Sequence, residues 1–360
     1  MKIACFILGI GKHQPCSNEP IGLTNPYSKK MGVIGLLGGV SLMNFVLNHR
    51  ASVLVSQICD CLGELGIIRH EIGGSLILDA GIKAPGGLQA GLELARVCLA
   101  DLAKVDLAPA ELAGWRGPWV SVRSDHPVSA CLGSQYAGMQ VSAGKYFAMG
   151  SGPMRARLGT EPVLKELAIH EEVDVAVGVL ETGKLPTVEV IEWLAGKLGV
   201  SPGMITLLVA PTTSIAGMVQ VVARSLETAL HQMHEIGFPL NAVVSGMGCA
   251  PLPCPHPDTI TAIGRSNDAI LYGARVEIFL RTQPGQEDLV NSLGPKIPSS
   301  NSPAHGKPFA EIFREAGGDF YKIDPRLFAP AQVVFHDLTT GTSTVFGEPM
   351  MDLVHRSFGG

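Results

Sequence analysis

No stretch of this chain interleaves lysines and arginines with aromatic residues, and its net charge of −5 is spread along 360 residues rather than gathered. A nucleic-acid track needs a basic stripe, so nucleic acid is excluded as a partner. Charge of either sign is scarce, at 16% of residues, which leans away from the ion-pair-rich surfaces of hyperthermophilic proteins. The eight cysteines, at positions 5, 16, 59, 61, 98, 131, 249 and 254, include no C-x-x-C pair. They read as free thiols in a reducing compartment, and the protein as cytoplasmic. His231 and His234 stand three apart with no third ligand in view, so no metal is expected and the pair reads as surface residues.

A complete nucleotide-binding turn is also missing. The apolar run from Met1 ends in Gly9-Ile10-Gly11 without a third glycine, and His13, Gln14 and Pro15 follow where a helix should start. Gly150-Ser151-Gly152-Pro153 lacks the lysine of a P-loop. Lys29 and Lys30 precede an apolar run, Met31 to Leu47, that is short for a membrane span and carries no clear cleavage pattern. No membrane partner is expected. The reading preferred here starts the protein at Met31 or Met43 and leaves 1–42 as a doubtful extension, with a flexible extension or a targeting segment as alternatives.

What the chain does have is 46% hydrophobic residues, 43 glycines and 25 prolines, the composition of a globular protein with many tight turns. Its length favours two domains. Ser75 to Ala80, Trp119 to Val122, Val173 to Leu180, Asn241 to Cys249, Ala274 to Leu280 and Ala331 to Leu338 read as strands, and Thr339 to Ser343 as a hairpin turn. Val53 to Leu65, Leu88 to Ala103, Val188 to Leu198 and Phe309 to Glu315 read as helices, with Gly66 and Gly199 as C-terminal stops. Gln283 to Lys307, rich in Pro, Ser and Gly, reads as a mobile surface loop. No internal repeat is visible.

One stretch organises the rest. Leu207-Leu208-Val209-Ala210 reads as a buried strand ending at Pro211 and the hydroxyls Thr212, Thr213 and Ser214. A helix follows, with Val219, Val222, Leu226, Ala229 and Leu230 on one face and Arg224 and Glu227 three apart on another. By spacing alone, an Arg-x-x-Glu pair is a solvated salt bridge.

Several stretches together resemble the methenyltetrahydromethanopterin cyclohydrolase family. They are Asp79-Ala80-Gly81 with Pro85-Gly86-Gly87, Ser124-Asp125-His126-Pro127, Tyr146 to Pro153, the 206–230 stretch, Gly264 to Gly273, and Phe320 to Pro325. The resemblance covers about Asn48 to Phe358. It implies an α+β fold of two mixed α/β domains, interleaved in sequence across 43–360, with the active-site pocket between them, and a homotrimer. The reaction it implies is reversible hydrolysis of the methenyl bridge of a tetrahydromethanopterin derivative, which is substrate rather than cofactor; no metal, flavin or nicotinamide is required.

On that resemblance Glu227 is the base that deprotonates water, assisted by Arg224, which overturns the reading from spacing. Candidate substrate-binding residues are Asp125, Gly150, Ser151, Gly152, Glu181, Thr212, Thr213, Ser214 and Asp268. For the carboxylates Asp125, Glu181 and Asp268 capping or turn formation is an equal alternative. The family pattern has a lysine before an Ala-Gly pair where this chain has Tyr136 before Ala137-Gly138. Two other readings are a pterin-linked nicotinamide-dependent dehydrogenase, which would need the missing glycine-rich turn, and a non-catalytic pterin-binding protein.

Overall fold

The computed structural model describes residues 45–109, 114–136, 138–286 and 288–359. The expected start at Met31 or Met43 and the doubtful extension therefore lie outside the described residues. The strands in chain order are β1 (Ile68–Ile72), β2 (Ser75–Asp79), β3 (Lys104–Pro109), β4 (Pro118–Ser124), β5 (Met139–Ala143) and β6 (Tyr146–Ser151). They continue with β7 (Ala176–Glu181), β8 (Ile205–Ala210), β9 (Val243–Pro251), β10 (Arg275–Leu280), β11 (Gln332–Asp337) and β12 (Thr342–Gly347). They form two separate mixed sheets of six, ordered β1-β2-β8-β7-β6-β5 and β12-β11-β10-β9-β4-β3. The fold is α+β, as the family resemblance implied.

The central strands of the first sheet, β8 and β7, are parallel to each other, and β8 is parallel to β2. Buried on both faces, they need continuous apolar runs rather than alternation. Leu208 and Ala210 point toward the helices Leu47–Asp60 and Leu88–Cys98, sharing a core with Leu54 and Leu94. Leu207 and Val209 pack on the other side with Ile191 and Leu194 of the helix Val188–Leu198. That helix forms over the expected residues because Thr187 caps its start, accepting from Val190 N, and Gly199 ends it in the left-handed region at φ +65°.

The second sheet is antiparallel except at β10–β11. Along β10 the inward residues Val276, Ile278 and Leu280 alternate with more exposed ones, the pattern of a sheet covered on one face. Its cover is the helix Ser225–Glu235, whose Leu226 and Leu230 join the same core.

The 206–230 stretch is not one strand and one continuous helix. The helix Ile215–Val222 ends at Ala223, Arg224 departs from helical geometry at φ −97°, ψ 6°, and a second helix begins at Ser225. The first packs on the helix Leu88–Cys98 beside the first sheet, and the second lies under β9 and β10. The break carries the chain from one sheet to the other. Glycines make both contacts close: a Cβ at Gly91 would lie 2.6 Å from Val219 Cβ, and one at Gly248 would lie 2.9 Å from Leu226 N.

Three expectations need correction. Asp268, for which capping or turn formation was the alternative, lies inside a helix, Thr259–Leu271. Gln283 to Lys307 is tied down rather than loose: Ser299 Oγ donates to Leu271 O at 2.5 Å, its N–H bonds Pro330 O, and Ile297 and Ser302 are buried. The helix from Leu88 stops at Cys98, because Ala100 and Asp101 adopt positive φ of 51° and 53°.

Candidate active site

Arg224 and Glu227 are 3% and 2% exposed, so the surface salt bridge suggested by their spacing does not form. Arg224 is anchored at the helix break. Its Nη1 donates to Gln135 O at 2.6 Å, and its Nη2 to Ser151 Oγ at 3.0 Å and Gln220 Oε1 at 3.2 Å. Gln220 stands one helical turn before Arg224, which is why it can reach back to it. Cys98 Sγ, at the end of its helix, lies 3.3 Å from Ser151 Oγ. Elements from 98 to 224 thus meet in one buried polar cluster around a single guanidinium.

Glu227 sits in the first turn of the helix Ser225–Glu235, where the helix dipole favours its charge. None of the Arg224 bonds goes to it, and its carboxylate has neither hydrogen bond nor ion pair from a described residue. Burial pushes its pKa from 4.5 up to about 7, against the opposing pull of the Arg224 and Arg155 charges. The arginine therefore acts on the carboxylate through space rather than by contact.

Around this pair lies a second layer that the sequence did not reveal. Val128–Gln135 forms a π-helical turn, a conformation frequent at functional sites. The carbonyls at its end are taken up by two guanidiniums: Arg224 binds Gln135 O, and the fully buried Arg155 donates through Nη1 to Leu132 O at 3.2 Å and Ser134 O at 3.0 Å. Arg155 also holds Glu161, with Nε to Oε1 at 2.9 Å. His231, one turn beyond Glu227, is buried and stacked on Tyr136 rather than lying on the surface; burial lowers its pKa to about 3, so it is neutral. The only signal for this layer in the sequence was the Tyr136 departure and the Gly-Ser-Gly-Pro turn just before Arg155.

The other candidates divide by location. Ser151 belongs to the Arg224 cluster. Glu181, at the end of β7, accepts a hydrogen bond from Thr212 just past β8, and burial raises its pKa while Thr212 and Arg224 oppose that. Ser214 caps the helix Ile215–Val222 through Gly217 N at 3.0 Å, and Thr213 is half-buried beside it. Gly150 lies within β6, between Met139 and Leu180, and Gly152, at φ +91°, donates its N–H to Ser134 O. The backbone at these glycines is used to build the fold.

Asp125 stands apart. It is exposed, accepts from Ser245 Oγ at 2.6 Å, and lines a cavity of about 480 Å³ with Arg50, Lys104, Arg123 and His126; neither Arg224 nor Glu227 lines that cavity. Asp268 is fully buried in the helix Thr259–Leu271. Both of its oxygens are engaged, by Phe309 N at 2.8 Å and Ser357 Oγ at 2.5 Å, and burial raises its pKa to about 7. No cluster of three metal-ligating side chains occurs among the described residues. No helix among them is long and apolar enough to cross a membrane.

A buried carboxylate with no ion-pair partner among the described residues, beside a fixed guanidinium, is suited to moving a proton near neutral pH. A family model described as Cyclohydrolase (MCH) matches residues 46–358. The chain belongs to the methenyltetrahydromethanopterin cyclohydrolase family. Among proteins carrying that family's name, one from Rhodopirellula baltica is 49% identical over 293 residues, 80% of this chain and 87% of its own length. One from Methylobacillus flagellatus is 44% identical over 316 residues, covering 87% of this chain and 95% of its own. A third, from Methanococcoides burtonii, is 38% identical over 316 residues, 87% and 98% of the two chains. The cyclohydrolase match thus takes in both sheets and the helix break between them.

Proposed function

We propose that this protein interconverts 5,10-methenyltetrahydromethanopterin and its 5-formyl form, with Glu227 as the base that activates water. The bridging carbon of the substrate lies between two nitrogens that share a positive charge, so it is electrophilic already. Water is the weak partner. As it attacks, Glu227 takes one of its protons, a contribution of about 10²–10⁴-fold for a positioned base. When the adduct collapses, Glu227 returns that proton to the departing nitrogen. The remaining hydroxyl proton leaves to solvent as the formyl C=O forms, so each hydrolysis releases one proton.

The observation that carries this reading is the Glu227 carboxylate itself, buried, without a described donor, and with a pKa of about 7. A group half ionised near neutrality serves both directions: the carboxylate accepts in hydrolysis, and the carboxylic acid donates in ring closure. Arg224 keeps the carboxylate from becoming a permanently neutral acid. Its hydrogen bonds to Gln135, Ser151 and Gln220 hold the charge where it offsets burial without capturing Glu227 directly. Ser151, Glu181 and Thr212, near the same guanidinium, are the substrate contacts this reading favours. A homotrimer belongs to the same proposal and is checked by light scattering of the purified chain.

The test is loss of the methenyl absorbance with no nicotinamide added, run beside the tetrahydrofolate analogue. Glu227→Gln should still bind the methenyl substrate and hydrolyse it at least about 100-fold more slowly. A rate within a few-fold of the unaltered protein would remove Glu227 from the mechanism.

A further inference from the structure

Tyr136 follows directly on the π-helical turn, its N–H bonded to Cys131 O at 2.8 Å. Its ring is clamped from two sides. It stacks on His231 with centroids 4.7 Å apart and planes at 11°, and the Arg155 guanidinium lies 4.9 Å from the ring centre. His231 and Glu227 are four apart on one helix and so share a face, which sets a ring held against His231 beside the carboxylate. Tyr136 is 6% exposed, yet its hydroxyl has no hydrogen-bond partner among the described residues. Buried phenols ordinarily find one, and an exception calls for an explanation. Burial, and then the Glu227 charge, holds the phenol well above its usual pKa, so it is a neutral donor at any working pH.

We propose that the Tyr136 hydroxyl is a catalytic group that donates a hydrogen bond to the oxygen of the water activated by Glu227. The inference rests on the reading of Glu227 as base. A water molecule has two O–H bonds and two lone pairs. With one O–H directed at Glu227 and one lone pair at the bridging carbon, a donor on the second lone pair leaves a single productive orientation. As the C–O bond forms, a proton passes to Glu227 and the same oxygen becomes the hydroxyl of the adduct. As the C–N bond breaks, the nitrogen takes the proton back from Glu227, the O–H pair forms the C=O bond, and that last proton leaves to water. Tyr136 gains and loses nothing; it holds the oxygen in place during attack, and its hydrogen bond strengthens as that oxygen becomes the formyl carbonyl, a better acceptor than a hydroxyl.

Tyr136→Phe tests this in the full chain, because it keeps the ring against His231 and Arg155 and removes only the oxygen. The expected result is a kcat for hydrolysis reduced about 10–100-fold with KM within about threefold, the signature of a transition-state contact. The lower limb of the pH profile should stay near 7. Tm should not fall, since the lost hydroxyl has no partner in the fold. A kcat within about twofold of the unaltered protein overturns the proposal, as does a raised KM at constant kcat. A Tm lowered by more than a few degrees would make the hydroxyl structural and overturn it too. Glu227→Gln measured alongside separates the two ideas: a slow Gln variant with a normal Phe variant refutes the tyrosine alone, whereas a normal Gln variant refutes the base.

Discussion

Glu227→Gln should make the protein more stable, and only above a particular pH. In the folded chain the carboxyl has a pKa of about 7 against an ordinary value of 4.5, with burial as the leading cause. The folded state therefore keeps the proton between about pH 4.5 and 7 while the unfolded state gives it up. In that window the unaltered protein loses stability as pH rises, because the native state binds more protons than the unfolded one. Two and a half pH units at about 1.4 kcal/mol each give about 3 kcal/mol, fully present above pH 7 and absent below about 4.5. Glutamine has the same shape and no charge to bury, so the variant escapes this loss.

For a chain of this size, with an unfolding entropy on the order of 0.7 kcal/mol/K, that is a rise in Tm of about 4 °C at pH 8. The measurement is thermal unfolding of both proteins at half-unit steps from pH 5 to 8.5. The reasoning requires the two Tm curves to converge at low pH and separate through neutrality. Parallel curves would refute it, since they would mean that the Glu227 carboxyl is not held neutral by its surroundings. Stability gained together with at least about 100-fold lost activity would mark the carboxylate as a group kept for chemistry at the expense of the fold.

In the unaltered protein, kcat/KM for hydrolysis should fall as pH drops below about 7, and ring closure should gain as Glu227 becomes protonated; a flat stopped-flow profile from pH 5 to 8 would contradict this. Arg224 holds the Glu227 pKa down, so Arg224→Lys, which keeps charge but loses the three-way anchoring, should slow turnover, and Arg224→Ala should move the hydrolysis limb to higher pH. Glu161→Ala leaves the guanidinium of a fully buried Arg155 without its carboxylate and should cost about 3–5 kcal/mol, seen as a lowered denaturation midpoint. Gly91→Ala places a Cβ 2.6 Å from Val219 Cβ and 3.0 Å from Ala216 O, so it should destabilise by about 1–3 kcal/mol in the same measurement.

Elements with their own local signals were legible from the sequence. The helix Val188–Leu198 has a threonine cap and a glycine stop, and β7 and β8 are apolar runs that only a doubly covered strand needs. The helix Thr259–Leu271 was hidden because Gly264, Ser266, Asn267 and Asp268 look like loop residues. In the fold Ser266 and Asn267 both return hydrogen bonds to Ile263 O, and Gly264 gives room to Ala310. The break at Ala223 was equally hidden, since Val222, Ala223 and Leu226 are all buried and the apolar periodicity passes through without a proline or glycine. It is set by where two sheets lie, which no local pattern encodes. The candidate site was legible only as a pair of residues: spacing marks Arg224 and Glu227 as neighbours, but their burial and the separate anchoring of the arginine come from Gln135, Ser151 and Gln220, far away in sequence or on the preceding turn.

The order in which strands enter the two sheets has a consequence for synthesis of the protein. Leu76 in β2 pairs with Thr206 in β8, and Ser121 in β4 with Cys249 in β9. A ribosome making this chain therefore releases two hairpins, β1–β2 and β3–β4, long before the strands that pair with β2 and β4 exist. Until β8 and β9 emerge, each hairpin presents an unpaired edge to the cell. Neither sheet is built from an uninterrupted run of strands, so a chain halted before residue 205 carries both edges open, and truncations there should aggregate rather than yield one folded half.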